Sequence, residues 1–545
     1  VYRLQRKKQN FIEGAAILVV ASLIVKVIGA VFQIPLVNLI GGKDNPAFGL
    51  FTAAYRIYMT MLVISTVGLP AALSKMVAEA TAGGREHEVR RIVKVAAVIF
   101  IPFGAVCSVA LYAGAGVFSD LIKSADARFA VMAIAPSVLM VCILSVFRGY
   151  YQGRANMVPT AVSQVIEALG KMFVGLGLTY YAVGQGYDAP HVAAMAVLGV
   201  TIGEVAAAFY MVVRAALTRK KASVLSHGLN NAVRPFSQLC GQLLSLSIPI
   251  TITSAVMSLT DLIDMALISA RLQSPAIAMT SDQAMAIYGV YTGYAVNFFN
   301  LPQTLITAIS VSVLPVIAGA RAMQNFTKVS KTMSTAFRLT LLITLPAGAG
   351  FLLFGQQIVR LVYSKDTVLG GQLLQILGFA VPAVALVAIT NAILQAFGRV
   401  DLPLISMFIG ALIKICGDYV MVADPRLQIA GAPVSTTLCY WVIALINLVQ
   451  IGRLSHGLPP FGRTVVRPIA ATIGMGASSM ICFTLLSRAL AAAPGSVVDK
   501  LVTLVSIMVA VLVYGVLLLL LHAVEREDVL LLPKGEKIAN LLRLK

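Results

Sequence analysis

The sequence predicts an all-α polytopic membrane protein with about fourteen transmembrane helices. They form two six-helix lobes, related by a pseudo-twofold axis along the membrane normal, and two further C-terminal helices. Three observations carry this prediction. Hydrophobic residues fill 59% of the 545 positions and charged residues only 12%, with a mean hydropathy of +0.89, more apolar surface than a soluble core of this size can hide. The apolar residues fall into segments near the roughly 20 residues that cross a bilayer. The chain also echoes itself. Leu69-Pro70 and Leu314-Pro315 each close an apolar segment, and Pro159 and Pro403 each open one with a lysine, Lys171 or Lys414, well inside it.

The spans are expected near 11–40, 48–73, 93–118, 129–147, 158–183, 191–213, 241–270, 283–320, 333–354, 370–397, 402–423, 431–452, 467–489 and 500–522. The first holds Lys26 and is too long for a signal-peptide core, so it is expected to be retained. An even count puts both termini on one side. With the N-terminus inside, 27 Lys and Arg fall in inside segments against 9 outside, which fits cytoplasmic N- and C-termini. The echo shifts the chain by six helices, an even number, so the two copies share one orientation. The expected division is residues 1–235 for the N-lobe (helices one to six) and 236–455 for the C-lobe (seven to twelve). Residues 456–545 then hold the last two helices and a cytoplasmic amphipathic tail.

Several function classes are excluded on the same grounds. The net charge of +20 is spread over short loops, which argues for membrane topology and against nucleic acid. Six scattered cysteines, with no CxxC and no His/Cys cluster, indicate neither a disulfide framework nor a metal site. No Walker motif and no long loop point to an ATPase. No cofactor is expected.

Gly68-Leu-Pro-Ala-Ala-Leu-Ser-Lys75 with Ala78-Glu79 resembles the end of the second helix in polysaccharide flippases. Arg148-Gly-Tyr-Tyr-Gln-Gly153, then Met157, Pro159-Thr160, Ser163-Gln164 and Glu167, resembles the branch containing stage V sporulation protein B. Asn300-Leu-Pro-Gln-Thr304 through Ser312-Val-Leu-Pro315 is similar to the eighth helix of that group. The resemblance covers essentially the whole chain. It implies the multidrug/oligosaccharidyl-lipid/polysaccharide (MOP) exporter superfamily and, within it, the MurJ-like lipid II flippase group. A member is expected to carry a lipid-linked cell-wall precursor across the bacterial cytoplasmic membrane by alternating access, as a monomer and without covalent chemistry. Its polyprenyl tail would stay in lipid, and the last two helices could supply its groove.

An anionic, hydrated headgroup needs cations at membrane depth. Lys26 lies mid-way along the first helix, where the family often has a cavity arginine, and the cavity role is preferred to snorkelling or a structural pair. Arg56 suits either the cavity or a headgroup-facing interface. The family's eighth-helix cavity arginine aligns with Asn297, which removes one phosphate partner. Asn297 and Asn300 lie one turn apart and can still hydrogen-bond a sugar.

Glu167 and Lys171 are four apart in the fifth helix and are expected to pair, as packing or as a charge switch. Lys414 and Asp418 repeat the spacing in the eleventh helix with the sign order reversed. The relatives imply that Asp261 and Asp264 of the seventh helix lie near them, where some members bind sodium. Lys414 stands where an amide would be expected, so no sodium dependence is predicted, and coupling to protons or membrane potential is the hypothesis. Glu204 has no partner at i±4 and suits a cavity or a lobe core. Tyr288, Tyr291 and Tyr294 read as packing.

Pro302 divides the long eighth segment and Gly293 loosens it, which makes them candidate hinges. The tail after His522 reads as an interfacial helix. Competing readings keep the fold and change the cargo to another lipid-linked oligosaccharide or polysaccharide, or to a small molecule as in MATE exporters. A membrane glycosyltransferase would need paired outer-loop acids, and Asp44, Asp120, Asp126, Asp188, Asp366 and Asp424 are scattered. An envelope scaffold would have no use for buried charges.

Overall fold

The computed structural model describes residues 11–66, 68–222, 234–455, 462–490 and 496–523. Among them every regular element is helical, and the chain falls into two compact units, Val1–Gln273 with Met279–Gly289 and Ser274–Ala278 with Val290–Lys545. The expected interfacial tail lies outside the described residues.

The first unit holds α1 (Phe11–Ile40), α2 (Ala47–Thr66), α3 (Gly68–Ala82), α4 (Glu86–Ala113), α5 (Ala115–Leu121) and α6 (Ala127–Gly153). It continues with α7 (Val158–Gly184), α8 (Ala189–Ala222), α9 (Phe236–Leu272) and α10 (Ser281–Val290). The second begins at a π-helical turn, Tyr291–Val296, followed by α11 (Asn297–Ala322), α12 (Phe326–Val362), α13 (Thr367–Gly378) and α14 (Ala380–Ala396). It ends with α15 (Asp401–Met421), α16 (Gly431–Leu454), α17 (Arg467–Ala489) and α18 (Ser496–Leu520).

By length and composition, eleven helices among the described residues can cross a membrane, or twelve if α13 and α14, bent by 46° at Phe379, form one span. Fourteen were expected. The two expected segments outside that count, 241–270 and 283–320, are helical as α9 and as α10 with α11, the latter interrupted by the π turn. The lobe boundary after residue 235 is a division of the sequence. By packing, α9 sits against α2 and α3 of the first unit, where Gly68 admits the Ser247 carbonyl and Thr60 Oγ1 donates to the Ser258 carbonyl at 3.2 Å.

The helices are apolar on faces turned outward as well as inward. Val106, Phe173 and Phe209 are each at least 68% exposed, as expected where lipid is the solvent. Lipid gives no hydrophobic drive for helix association, so close packing rests on small residues. At α7 and α8, a Cβ on Gly170 would lie 2.5 Å from the Gly203 Cα, and one on Gly203 would lie 2.6 Å from the Glu167 carbonyl oxygen. These two backbones touch, and the contact sits at the level of Glu167 and Glu204.

Candidate functional site

Close approach of α7 and α8 builds a polar knot inside the first unit. Glu204 is fully buried, and Tyr58 of α2, 2% exposed, donates its hydroxyl to Glu204 Oε1. Glu167 takes Arg148 of α6, Nη2 to Oε2 at 2.9 Å, and Arg148 Nε donates to Ser163 Oγ at 3.1 Å. Lys171 donates to the Tyr55 hydroxyl at 3.0 Å, with its ammonium 4.1 Å from the Tyr55 ring centroid and 5.0 Å from that of Phe32. Rings at that distance attract a cation through their negative faces. The expected Glu167–Lys171 pair is therefore replaced: Arg148 takes the acid and an aromatic cage takes the lysine. Glu204 belongs to the interior of the unit.

The second unit builds its own knots. Lys414 Nζ lies 2.6 Å from Asp418 Oδ2, as the i,i+4 spacing predicts, and Ser435 of α16 donates to the other carboxylate oxygen. Asp418 is fully buried. Gly417 permits this arrangement, since a Cβ there would lie 2.7 Å from the Ser435 Cβ. Nearby, Asn447 of α16 donates to Thr390 Oγ1 at 3.0 Å and Asn391 Oδ1 at 2.8 Å, and Ser406 donates to Asn447 Oδ1 at 2.6 Å.

The internal echo connects the two. Arg148 and Asn391, Ser163 and Ser406, Lys171 and Lys414, and Glu204 and Asn447 all stand 243 positions apart. Sequence reasoning missed Tyr55, Tyr58, Arg148, Asn391 and Asn447 as site residues. The shared displacement was the signal that could have found all but the tyrosines.

The remaining expected site residues are placed separately. Lys26 is exposed on α1 among exposed Ile24 and Val27, and makes no ion pair among the described residues. Arg56 lies 3.4 Å from Asp261 of α9 within the first unit, the acid side chain being 63% exposed. Asp264, one turn on, is half-buried. Asn297 donates to the Tyr363 hydroxyl at 3.3 Å, and that hydroxyl donates to the Gly293 carbonyl at 3.1 Å. Tyr363 stacks on Tyr294 with centroids 4.5 Å apart. Asn297 is thus engaged with the π turn, whereas Asn300 is exposed. Tyr288, Tyr291 and Tyr294 are buried, as packing requires. The break in the eighth segment falls at residues 291–296, which include Gly293, and the helix runs on through Pro302. A π turn leaves carbonyls unpaired in the ladder, and Tyr363 satisfies one.

Each unit carries an opening. A groove of about 470 Å³ between α1 and α7 is lined only by apolar side chains, Val20, Ile24, Val162 and Ile166 among them. A second, of about 420 Å³, lies where α17 and α18 meet α12 and is partly polar, with Arg360, Asp499 and Lys500 in its wall. The last two helices therefore border this partly polar opening. Among the described residues no three His, Cys, Asp or Glu side chains are grouped to hold a metal, and all six cysteines are free thiols.

Comparison with known proteins gives consistent findings. The family model described as polysaccharide biosynthesis protein matches residues 11–321, and the MatE model matches residues 249–420. The chain is 25% identical to stage V sporulation protein B of Bacillus subtilis, over 82% of this chain and 84% of that protein. It is 23% identical to the lipid II flippase MurJ of the same organism, over 82% and 83%. A solved structure of lipid II flippase MurJ in an inward closed conformation superposes with a TM-score of 0.68 at 15% identity, covering 91% of this chain and 97% of that one. That last likeness is one of fold.

Proposed function

The chain belongs to the polysaccharide biosynthesis protein family, in the stage V sporulation protein B and MurJ-like group of the MOP exporters, and on that premise we propose that it flips a lipid-linked cell-wall precursor. The cargo is an undecaprenyl-pyrophosphate saccharide of the lipid II type. It crosses the bacterial cytoplasmic membrane by alternating access, with both termini of the protein cytoplasmic. The protein acts as a monomer and makes or breaks no covalent bond. The observation that supports this most is the relatedness to a lipid II flippase over four-fifths of the chain.

The physical chemistry of the cargo agrees with the residues of the chain. A pyrophosphate carries negative charge into the membrane only if cations replace its water. Lys26 is a cation near the middle of a long apolar helix, where a charge is costly without a purpose, and it meets the phosphates. Arg56 stands in the same unit, held by Asp261. Asn297 and Asn300 hydrogen-bond the sugar. The polyprenyl tail needs only apolar surface, and the groove between α1 and α7 reaches along α1 as far as Ile24, two residues before Lys26. The carboxylates of α9 and the Lys414–Asp418 pair belong to the coupling machinery, and with the Lys414 ammonium standing where an amide would be expected no sodium dependence is expected.

The match of the MatE model to residues 249–420 favours a second reading, export of a small molecule. Depletion of the resident flippase in a bacterium separates the two. Expression of this chain restores lipid II translocation under the first reading, and Lys26→Ala, inserted at the same level, loses the rescue while Lys26→Arg keeps it. No rescue by a correctly inserted parent protein moves the assignment to another cargo.

A further inference from the structure

We propose that the opening where α17 and α18 meet α12 holds the headgroup of a membrane aminophospholipid, with its phosphate on Arg360 and Lys500 and its ammonium beside Asp499. The opening measures about 420 Å³ and lies wholly within the second unit, and all three charged side chains are in its wall. Arg360 is in the last turn of α12 and Asp499 in the first turn of α18. The opening therefore sits at the ends of membrane-crossing helices, where a bilayer keeps its headgroups. Helix dipoles account for that arginine and that acid. They do not account for Lys500, which follows Asp499 near the positive end of α18. Among the described residues none of the three makes an ion pair. The Gln357 amide oxygen, in the same wall, is buried without a hydrogen-bond donor. Cations and an acid left open to one cavity call for an occupant that carries both signs.

The source is lipid rather than a free phosphoester. The volume suits a headgroup with its glycerol and leaves the acyl chains outside. On α18, Leu501, Leu504 and Met508 are exposed, and Leu504 lies one turn from Lys500 on the same face, so the chains continue from the opening along this strip. A lipid-linked pyrophosphate has no ammonium beside its phosphates to meet Asp499. Occupancy has a consequence. Tyr363 lines the same opening, and its hydroxyl donates to the Gly293 carbonyl of the π turn while accepting from Asn297. A headgroup seated there braces the residue that ties the turn, so lipid composition reaches the break in the eighth segment. This inference goes beyond the identity of the cargo and stands or falls without it.

Native mass spectrometry of the full chain, titrated with phosphatidylethanolamine or phosphatidylglycerol of equal acyl length, tests it. Phosphatidylethanolamine is expected to bind about tenfold tighter, and Arg360→Gln and Lys500→Gln each to weaken it about tenfold. Asp499→Asn makes the two lipids equal, and Arg426→Gln, at an exposed arginine outside the opening, changes nothing. In nanodiscs, hydrogen exchange across residues 291–296 is slower with phosphatidylethanolamine than with phosphatidylglycerol, and Arg360→Gln abolishes the difference. Equal or tighter binding of phosphatidylglycerol by the parent overturns the proposal, as does phosphatidylethanolamine binding unchanged in both cation variants. Displacement of the lipid by equal glycerophosphoethanolamine, which has no acyl chains, overturns the lipid source. Displacement by undecaprenyl pyrophosphate gives the opening to the cargo and overturns it too. Equal exchange in the two lipids overturns the bracing of the turn. The substituted side chains are exposed, so the variants are expected to fold, and if one cation variant does not, the other decides.

Discussion

Glu204 and Asn447 occupy the same place in two copies of one architecture, on α8 and on α16, each buried against the two preceding helices. Glu204 accepts from Tyr58 while Arg148 pairs with Glu167 on the two preceding helices, and around Asn447 the partners are Thr390, Asn391 and Ser406. The lysines differ in the same way. Lys171 has an acid one turn before it that Arg148 takes, so the ammonium turns to Tyr55; Lys414 has its acid one turn after and keeps it. A repeated fold therefore constrains where polar groups stand and leaves their charge open. The first unit spreads its charges over an arginine–glutamate pair, a tyrosine-bonded acid and a lysine held by rings. The second closes its charges into a tight pair and builds the rest from amides.

The largest expected difference is at the two lysines. Lys414→Met removes the ammonium from a carboxylate with no exposure, and breaking a buried pair costs about 3–5 kcal/mol. Lys171→Met removes one hydrogen bond and a cation–ring contact, about 1–2 kcal/mol together. Melting temperatures of the two variants in one detergent check this, and equal drops would break the comparison. At the arginine and its counterpart the gap is smaller. Arg148→Met leaves Glu167 without its cation, and the partial exposure of that acid limits the loss to about 2–3 kcal/mol. Asn391→Leu loses a neutral bond to Asn447, about 1 kcal/mol. Chemical denaturation of each variant beside the parent measures both.

The glycines sharpen the comparison at the level of the backbone. Gly203→Ala places a methyl 2.6 Å from the Glu167 carbonyl, and Gly417→Ala places one 2.7 Å from the Ser435 Cβ. A carbonyl in a helix cannot retreat as a serine side chain can, so the first is expected to cost about 1–3 kcal/mol and the second less.

Much of this molecule was legible from composition and spacing. Apolar segments of bilayer length became helices because lipid leaves backbone groups no partner outside their own helix. The Lys414–Asp418 pair followed from helix periodicity alone, since residues four apart share a face. The Glu167–Lys171 pair did not form, although the spacing is the same. Arg148, 19 residues earlier on another helix, makes the better partner, and no local pattern reports what a neighbouring helix supplies. Of the two hinge candidates, Pro302 and Gly293, the helix runs on through Pro302, whereas Gly293 lies in a π turn at 291–296 whose carbonyl accepts from the Tyr363 hydroxyl, just past α12. Proline at a helix position is visible in sequence, whereas an extra residue in a turn depends on what is packed against it.

The sequence by itself determined the helical class, the repeat and the polar residues that the membrane would have to enclose, because each follows from the cost of exposing polar groups to lipid. Only the tertiary structure decided who pairs with whom. Pairing is a competition between helices brought together by Gly170 and Gly203 or by Gly417 and Ser435, and its outcome is set by distances of a few tenths of an ångström that no spacing along the chain encodes.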